Sequence, residues 1–125
     1  MTVREAIDRC DALKPNQYSD DVKLTWLSEL DNHIYNDIYL THEECIPHPV
    51  FPYTEDDTVL LAESPYDELY PSYLKAKIDE MNEETTRYAN SAAVYNSQYQ
   101  DFARYYNRTH MPIQRRANNA FACPY

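Results

Sequence analysis

The sequence predicts an all-α protein, a small helical bundle with long C-terminal helices. Apolar residues recur at spacings of three and four along most of the chain, and residues typical of helix N-caps precede these segments. A length of 125 residues corresponds to one domain. We expect a single helical domain over residues 1–113, followed by a flexible basic tail at 114–125.

Two helices are predicted in the N-terminal third. Thr2 followed by Glu5 is a capping-box pattern, which predicts a helix over residues 3–13. Ser19 is the expected N-cap of a second helix that continues to about Thr41. The predicted apolar stripe of this helix is Leu27, Leu30, Ile34 and Ile38.

Residues 42–64 predict an acidic, proline-rich loop. Six acidic residues and no basic one lie between Glu43 and Glu63, and prolines there oppose helix formation. Within the loop, Thr58–Ala62 is a possible short strand. It could pair with another copy of the chain or pack as an extended segment.

The C-terminal half predicts either one helix over residues 66–109 or two helices that meet near Asn82. Ser64 and Pro65 are the expected N-cap and first helical residue, and Pro71 is expected to kink or restart the first helix. We favour two helices, because a single one would be about 60 Å long and hard to cover. The expected core or subunit seam comprises Leu74, Ile78, Met81, Tyr88, Tyr95, Tyr99 and Phe102.

Composition excludes several classes of function. The chain has no glycine, so it cannot form the glycine-rich loops that hold phosphates or the usual nucleophile elbow. Its net charge of −10 argues against broad binding of nucleic acid, although residues 101–125 carry four arginines and one aspartate. No apolar run is long enough to cross a membrane, and three widely spaced cysteines predict reduced thiols.

No residue pattern predicts a metal site, a cofactor or an active site. The segment HEECIPH at 42–48 lacks the ligand spacings of known zinc motifs. Asp56 and Asp57 are neighbours in a loop, and His33 and His110 have no partner by spacing. We therefore expect a protein that is not an enzyme and that uses no cofactor.

The 13 tyrosines exceed what one small core needs. Four of them lie off the predicted seam: Tyr66, Tyr70, Tyr73 and Tyr105. Because tyrosine and arginine are enriched where proteins bind one another, this excess indicates a protein partner.

Several blocks of the sequence together resemble a known family. These are TVREAIDRCDALKPN, WLSELDNHI, PYDELYPSYLKAKIDEMN and RYANSAAVYNSQYQDFARYYNRTHMP, which cover most of residues 1–113. They resemble the head-to-tail connector proteins, also called adaptor or head-completion proteins, of tailed phages and prophages of Gram-positive bacteria. Relatives often carry a glycine near Asn82–Glu84, which this chain lacks.

The resemblance implies a helical subunit that forms a ring, typically of twelve copies, between the portal protein and a stopper or tail-completion protein. DNA would pass through the ring without specific binding, and the protein would reside in the virion neck after assembly in the host cytoplasm. The C-terminal segment would dock onto the portal. The implied contact residues are Arg104, Tyr105, Tyr106, Arg108, His110, Arg115 and Arg116.

Two other functions stay open from the sequence. The chain could be another structural piece of the neck or capsid, or a small acidic intracellular regulator that binds a host protein. The stretch YYNRTHMP at 105–112 also has a purely structural interpretation, as a helix C-terminus with favourable cations and a proline stop.

Overall fold

The computed structural model describes residues 1–41, 51–55 and 57–109, and within these the chain forms four α-helices and no strand. The elements are α1 (Val3–Leu13), α2 (Asp20–Asp37), a 3-10 turn (Tyr39–Thr41), a second 3-10 turn (Tyr66–Glu68), α3 (Leu69–Met81) and α4 (Thr85–Thr109). The all-α prediction is confirmed. The predicted tail at 114–125 and the HEECIPH segment lie outside the described residues.

The two N-terminal helices begin where the capping patterns predict. The hydroxyls of Thr2 and Ser19 each accept a backbone N–H of the first helical turn, at 3.2 and 3.4 Å. Helix α2 ends at Asp37, and the chain reaches Thr41 as a 3-10 turn rather than as a continued α-helix. The predicted stripe is buried in the core: Leu27, Leu30, Ile34 and Ile38.

The possible strand Thr58–Ala62 is an extended segment. Val59 forms one antiparallel bridge with Thr2, flanked by backbone hydrogen bonds of 2.9 and 3.0 Å. Helix α1 starts directly after Thr2, so the extended chain available for pairing is too short to make a ladder. Of the two alternatives that the sequence leaves open, this is packing as an extended segment.

Helix α3 begins later than predicted. Pro65 was the expected first helical residue, but it has a non-helical ψ of 7° and precedes the 3-10 turn, while α3 starts at Leu69. This start places Pro71 in the first helical turn, where its missing N–H leaves no hydrogen bond unmade. Pro71 therefore lies at a position that an α-helix tolerates, and the chain passes from the 3-10 turn to α3 two residues before it.

Helices α3 and α4 are separate, as favoured from the sequence. Glu83 has a φ of 59°, and the N–H groups of Glu83 and Glu84 donate to the carbonyls of Glu80 and Asp79 at 3.1 and 3.0 Å. This is the Schellman pattern that ends helices, usually with glycine at the left-handed position. Glu83 takes the place of that glycine.

The core lies between α1, α2, α3 and the C-terminal end of α4. Among the predicted seam residues, Leu74, Ile78 and Phe102 are buried, and Tyr95 and Tyr99 are half-buried. Met81 and Tyr88 do not belong to the core, since they are 49% and 38% exposed. Both lie beside the turn between α3 and α4.

A buried carboxylate joins α2 to the segment before α3. Asp31 accepts hydrogen bonds from the hydroxyls of Tyr53 and Tyr70, at 2.7 and 2.6 Å, and from the backbone N–H of Leu61, at 3.2 Å. The Tyr70 hydroxyl in turn accepts the N–H of Ala62 at 2.8 Å. A chain segment without regular structure thus has its buried backbone donors satisfied by side chains of two helices.

We expect the Asp31→Asn variant to differ from the wild type in the pH dependence of its stability. Burial raises the pKa of Asp31 from 3.8 to about 6, against the opposing effect of the three donated hydrogen bonds. The stabilising contribution of the protonated carboxyl is fully present below pH 3.8 and is lost as the pH rises through about 6. The stability of the wild type relative to the variant should fall by about 3 kcal/mol over this window, measured by urea unfolding. A difference that is constant with pH would contradict the assignment.

The left-handed backbone conformation of Glu83 leads to a second prediction, about stability. Glu83→Gly should stabilise the protein by about 0.5–1 kcal/mol, because glycine adopts a positive φ without the Cβ clash. Glu83→Ala is the matched control, since it removes the same carboxylate but keeps the Cβ. Equal unfolding midpoints for the glycine and alanine variants in urea would show that the backbone conformation carries no such strain.

Candidate partner-binding site

The structure describes four of the seven residues implied as a docking surface, and these four differ in their exposure to solvent. Arg104 and Arg108 are exposed on α4, Tyr105 is half-buried and Tyr106 is buried in the core. The remaining three lie outside the described residues: His110, Arg115 and Arg116. Within the described chain, the candidate surface is therefore the exposed flank of the last turns of α4.

Tyr66 completes this surface from another element. Its ring stacks on that of Tyr105 with centroids 4.6 Å apart and planes 25° from parallel. The 3-10 turn of residues 66–68 packs against α4 and holds Tyr66 in this position. Tyr66 lies off the predicted seam, so the excess of aromatic residues was the sequence signal that could identify it.

An open cavity of about 590 Å³ lies beside the stacked rings. Its lining residues are Tyr66, Asp101, Arg104, Asn107 and Arg108. Arg104 contacts the Asp101 carboxylate at 3.4 Å, with both side chains largely exposed, so this pair is weak and readily exchanged. In the part of the chain that the structure describes, Arg108 makes no ion pair.

The cavity has the chemistry of a carboxylate-binding surface. A guanidinium group can hold a carboxylate through two parallel hydrogen bonds, and tyrosine rings bury large apolar area while keeping a polar end in water. We name the two stacked tyrosines and the two arginines beside them the α4 terminal site: Tyr66, Tyr105, Arg104 and Arg108. These residue types are enriched among those that dominate the energy of protein interfaces.

Tyr106 belongs to the core and not to the contact surface that the resemblance implies. It is 4% exposed, and its ring stacks on Tyr39 with centroids 4.8 Å apart. Successive residues of a helix point about 100° apart, so Tyr106 shares the inward face with Phe102 while Tyr105 turns toward Tyr66. The pair of tyrosines therefore has two roles, one in packing and one at the surface.

The other tyrosines off the predicted seam do not join the α4 terminal site. Tyr70 is fully buried in the Asp31 network, and Tyr73 packs against Tyr95 in the α3–α4 groove, with ring centroids 5.1 Å apart. Tyr66 and Tyr105 are thus the two of the four that form a surface cluster.

The described residues assemble no candidate metal site. No group of three or more His, Cys, Asp or Glu side chains there could hold a metal ion. His33 is exposed on α2. Cys10 is a free, buried thiol, and burial raises its pKa to about 11, so it is protonated at neutral pH.

Alanine substitutions should separate the roles of the adjacent tyrosines. We expect Tyr106→Ala to lower the free energy of unfolding by about 3 kcal/mol, because it leaves a cavity beside Tyr39 and Phe102. Tyr105→Ala should lower it by about 1 kcal/mol, since it loses one stacking contact at the surface. Urea unfolding of the two variants measures both values, and equal losses would contradict this division.

Comparison with protein-family models, with curated proteins and with solved structures finds no match to this chain. No helix among the residues described has the length and apolar character to span a membrane. The resemblance to connector proteins therefore stays a prediction, which the geometry of the α4 terminal site makes specific enough to test.

Proposed function

We propose that the protein is a head-to-tail connector of a tailed phage or prophage. In this role it forms a ring on the portal protein, extends the DNA channel and allows the tail to attach through a stopper or tail-completion protein. The observation that carries the proposal is the α4 terminal site, which lies in the stretch that resembles the family most strongly. The protein would then be located in the virion neck.

The α4 terminal site suits attachment to an acidic partner surface. Arg104 has a side chain that is 70% exposed, and Arg108 is also exposed on the same flank of α4. Both arginines can pair with carboxylates of the portal, while Tyr66 and Tyr105 supply buried area. A partner carboxylate would replace the weak intrahelical contact that Arg104 makes with Asp101.

The charge of the chain supports a position along a DNA channel. The net charge is −10, and a negative wall repels the phosphate backbone, so that DNA slides past without being bound. Specific binding of DNA is not part of the proposal. The basic residues near the C-terminus are assigned to the protein partner instead.

The α3–α4 turn is compatible with the proposal although the chain departs here from the family pattern. Relatives in the connector family often have a glycine near Asn82–Glu84, and Glu83 here has the left-handed conformation that glycine favours. The same helix ending is therefore compatible with both the family pattern and this sequence.

The test is assembly with the portal protein encoded in the same genome. Native mass spectrometry of the mixture should show one copy of this chain per portal subunit. The double variant Arg104→Glu, Arg108→Glu should weaken the complex at least about tenfold, because it places like charges against the partner carboxylates.

The matched control is Lys75→Glu with Arg87→Glu. This variant has the same change in net charge, and both positions are exposed on the other half of the α3–α4 pair. Portal binding should be unchanged in the control. Equal loss of binding in the two double variants would show that net charge, and not the α4 terminal site, determines binding. Binding to capsid or to a host protein in place of portal would support one of the alternative functions.

A further inference from the structure

A second open cavity, of about 530 Å³, lies where the end of α1, the middle of α3 and the first half of α4 meet. Three cationic side chains line it, Lys14, Lys75 and Arg87, together with one carboxylate, Asp79. Its volume is in the range of ligand-binding cavities, and its lining is positive in a chain of net charge −10. It is separate from the α4 terminal site by about 20 Å along α4.

Two carboxylate side chains of the protein itself pair with cations at this cavity. Asp79 is fully buried and is paired with the Lys14 ammonium and the Ser91 hydroxyl. Glu84 lies between two of the cations, 2.5 Å from the Lys14 Nζ and 3.5 Å from an Arg87 guanidinium nitrogen. The hydrogen bond from Lys14 holds the pKa of Glu84 below its usual value.

One cation and two apolar side chains remain open to a ligand. Lys75 is exposed and makes no ion pair within the described chain. Leu13 of α1 and Val94 of α4 also line the cavity and are 69% and 54% exposed, although most large apolar side chains of the described residues are covered. The cavity thus presents a positive interior with an apolar rim.

We propose that this α1–α3–α4 cavity binds an acidic segment of another protein, in which a carboxylate side chain is flanked by apolar residues. The carboxylate is held by Lys75 and by Arg87, which exchanges its 3.5 Å contact with Glu84 for the ligand. The apolar residues cover Leu13 and Val94. The positive lining of the cavity attracts an acidic segment, whereas the rest of this acidic chain repels one. The occupant is therefore inferred from charge complementarity. The inference concerns a second partner and does not depend on the proposed binding to the portal.

The test uses the full chain labelled with ¹⁵N and two peptides with blocked ends, Leu-Glu-Glu-Leu and Leu-Gln-Gln-Leu. The glutamate peptide should shift the amide signals of residues that line the cavity, such as Leu13, Lys75 and Val94. The glutamine peptide should bind at least about tenfold more weakly, since it lacks the charges. Equal affinities, or no shifts among the residues that line the cavity, would overturn the proposal.

Charge reversal gives the second arm. Lys75→Glu with Arg87→Glu should weaken binding of the glutamate peptide at least about tenfold and should allow a Leu-Lys-Lys-Leu peptide to bind instead. In the control Arg104→Glu with Arg108→Glu, the glutamate peptide should still shift the signals of Leu13, Lys75 and Val94 with the affinity seen in the wild type. A gain of lysine-peptide binding cannot come from misfolding, so its absence would overturn the proposal.

Two further outcomes would assign the cavity to another occupant and overturn the peptide proposal. One is that sodium acetate, at the same carboxylate concentration, reproduces the shifts, which would mean a bare anion site. The other is a concentration-dependent dimer, seen by sedimentation, that the Lys75→Glu, Arg87→Glu change abolishes, which would mean a second copy. Portal binding is measured separately, so failure here leaves the connector proposal unaffected.

Discussion

The carboxylate of Asp31 is the constraint on which the rest of the structure depends. It is completely buried on α2, and three donors converge on it from Tyr53, Leu61 and Tyr70. An isolated carboxylate in this position would be strongly unfavourable, so the segment before α3 must follow the path that provides these donors. That path leads directly into the 3-10 turn that carries Tyr66, and it therefore sets one wall of the α4 terminal site.

Other buried charges connect the remaining helices in the same manner. Lys14 at the end of α1 reaches Asp79 on α3, which also accepts the Ser91 hydroxyl of α4. Lys23 on α2 is 2% exposed and lies 2.5 Å from the Asp11 carboxylate of α1. Breaking a buried pair of this kind destabilises a protein more than the pair itself stabilises it, because the remaining charge stays buried. These contacts fix the arrangement of the helices more strictly than apolar packing alone.

The helices could be predicted from the sequence because their signals are local. The N-caps at Thr2 and Ser19 and the break at Asn82 depend on residues a few positions apart. The start of α3 differs from the prediction because Ser64 and Pro65 have the residue types of a helix start, whereas residues 66–68 form a 3-10 turn and the α-helix begins at Leu69. Pro65 and Pro71 are each compatible with the first turn of a helix, and the sequence pattern does not show which of them that turn contains.

The polar interior and half of the candidate site could not be predicted, because their partners are distant in sequence. Asp31 and Lys23 belong to residue types that are mostly exposed, and only the fold places their partners beside them. The helical spacing places Tyr106, and not Tyr105, in line with the predicted seam residue Phe102. It does not show which rings cover them, because Tyr39 and Tyr66 arrive from two separate turns.

Helix α4 contributes residues to both of the proposed binding sites. Phe102 and Tyr106 anchor its C-terminal half in the core, whereas its N-terminal half packs mainly against α3 and leaves much of its surface exposed. Residues 88–100 contain no charged side chain. An uncharged helical stretch between two positively charged cavities offers another protein less electrostatic repulsion than the acidic remainder of the described chain does. The length of α4 beyond what the core requires is therefore explained if the helix serves association, with one cavity near each of its ends.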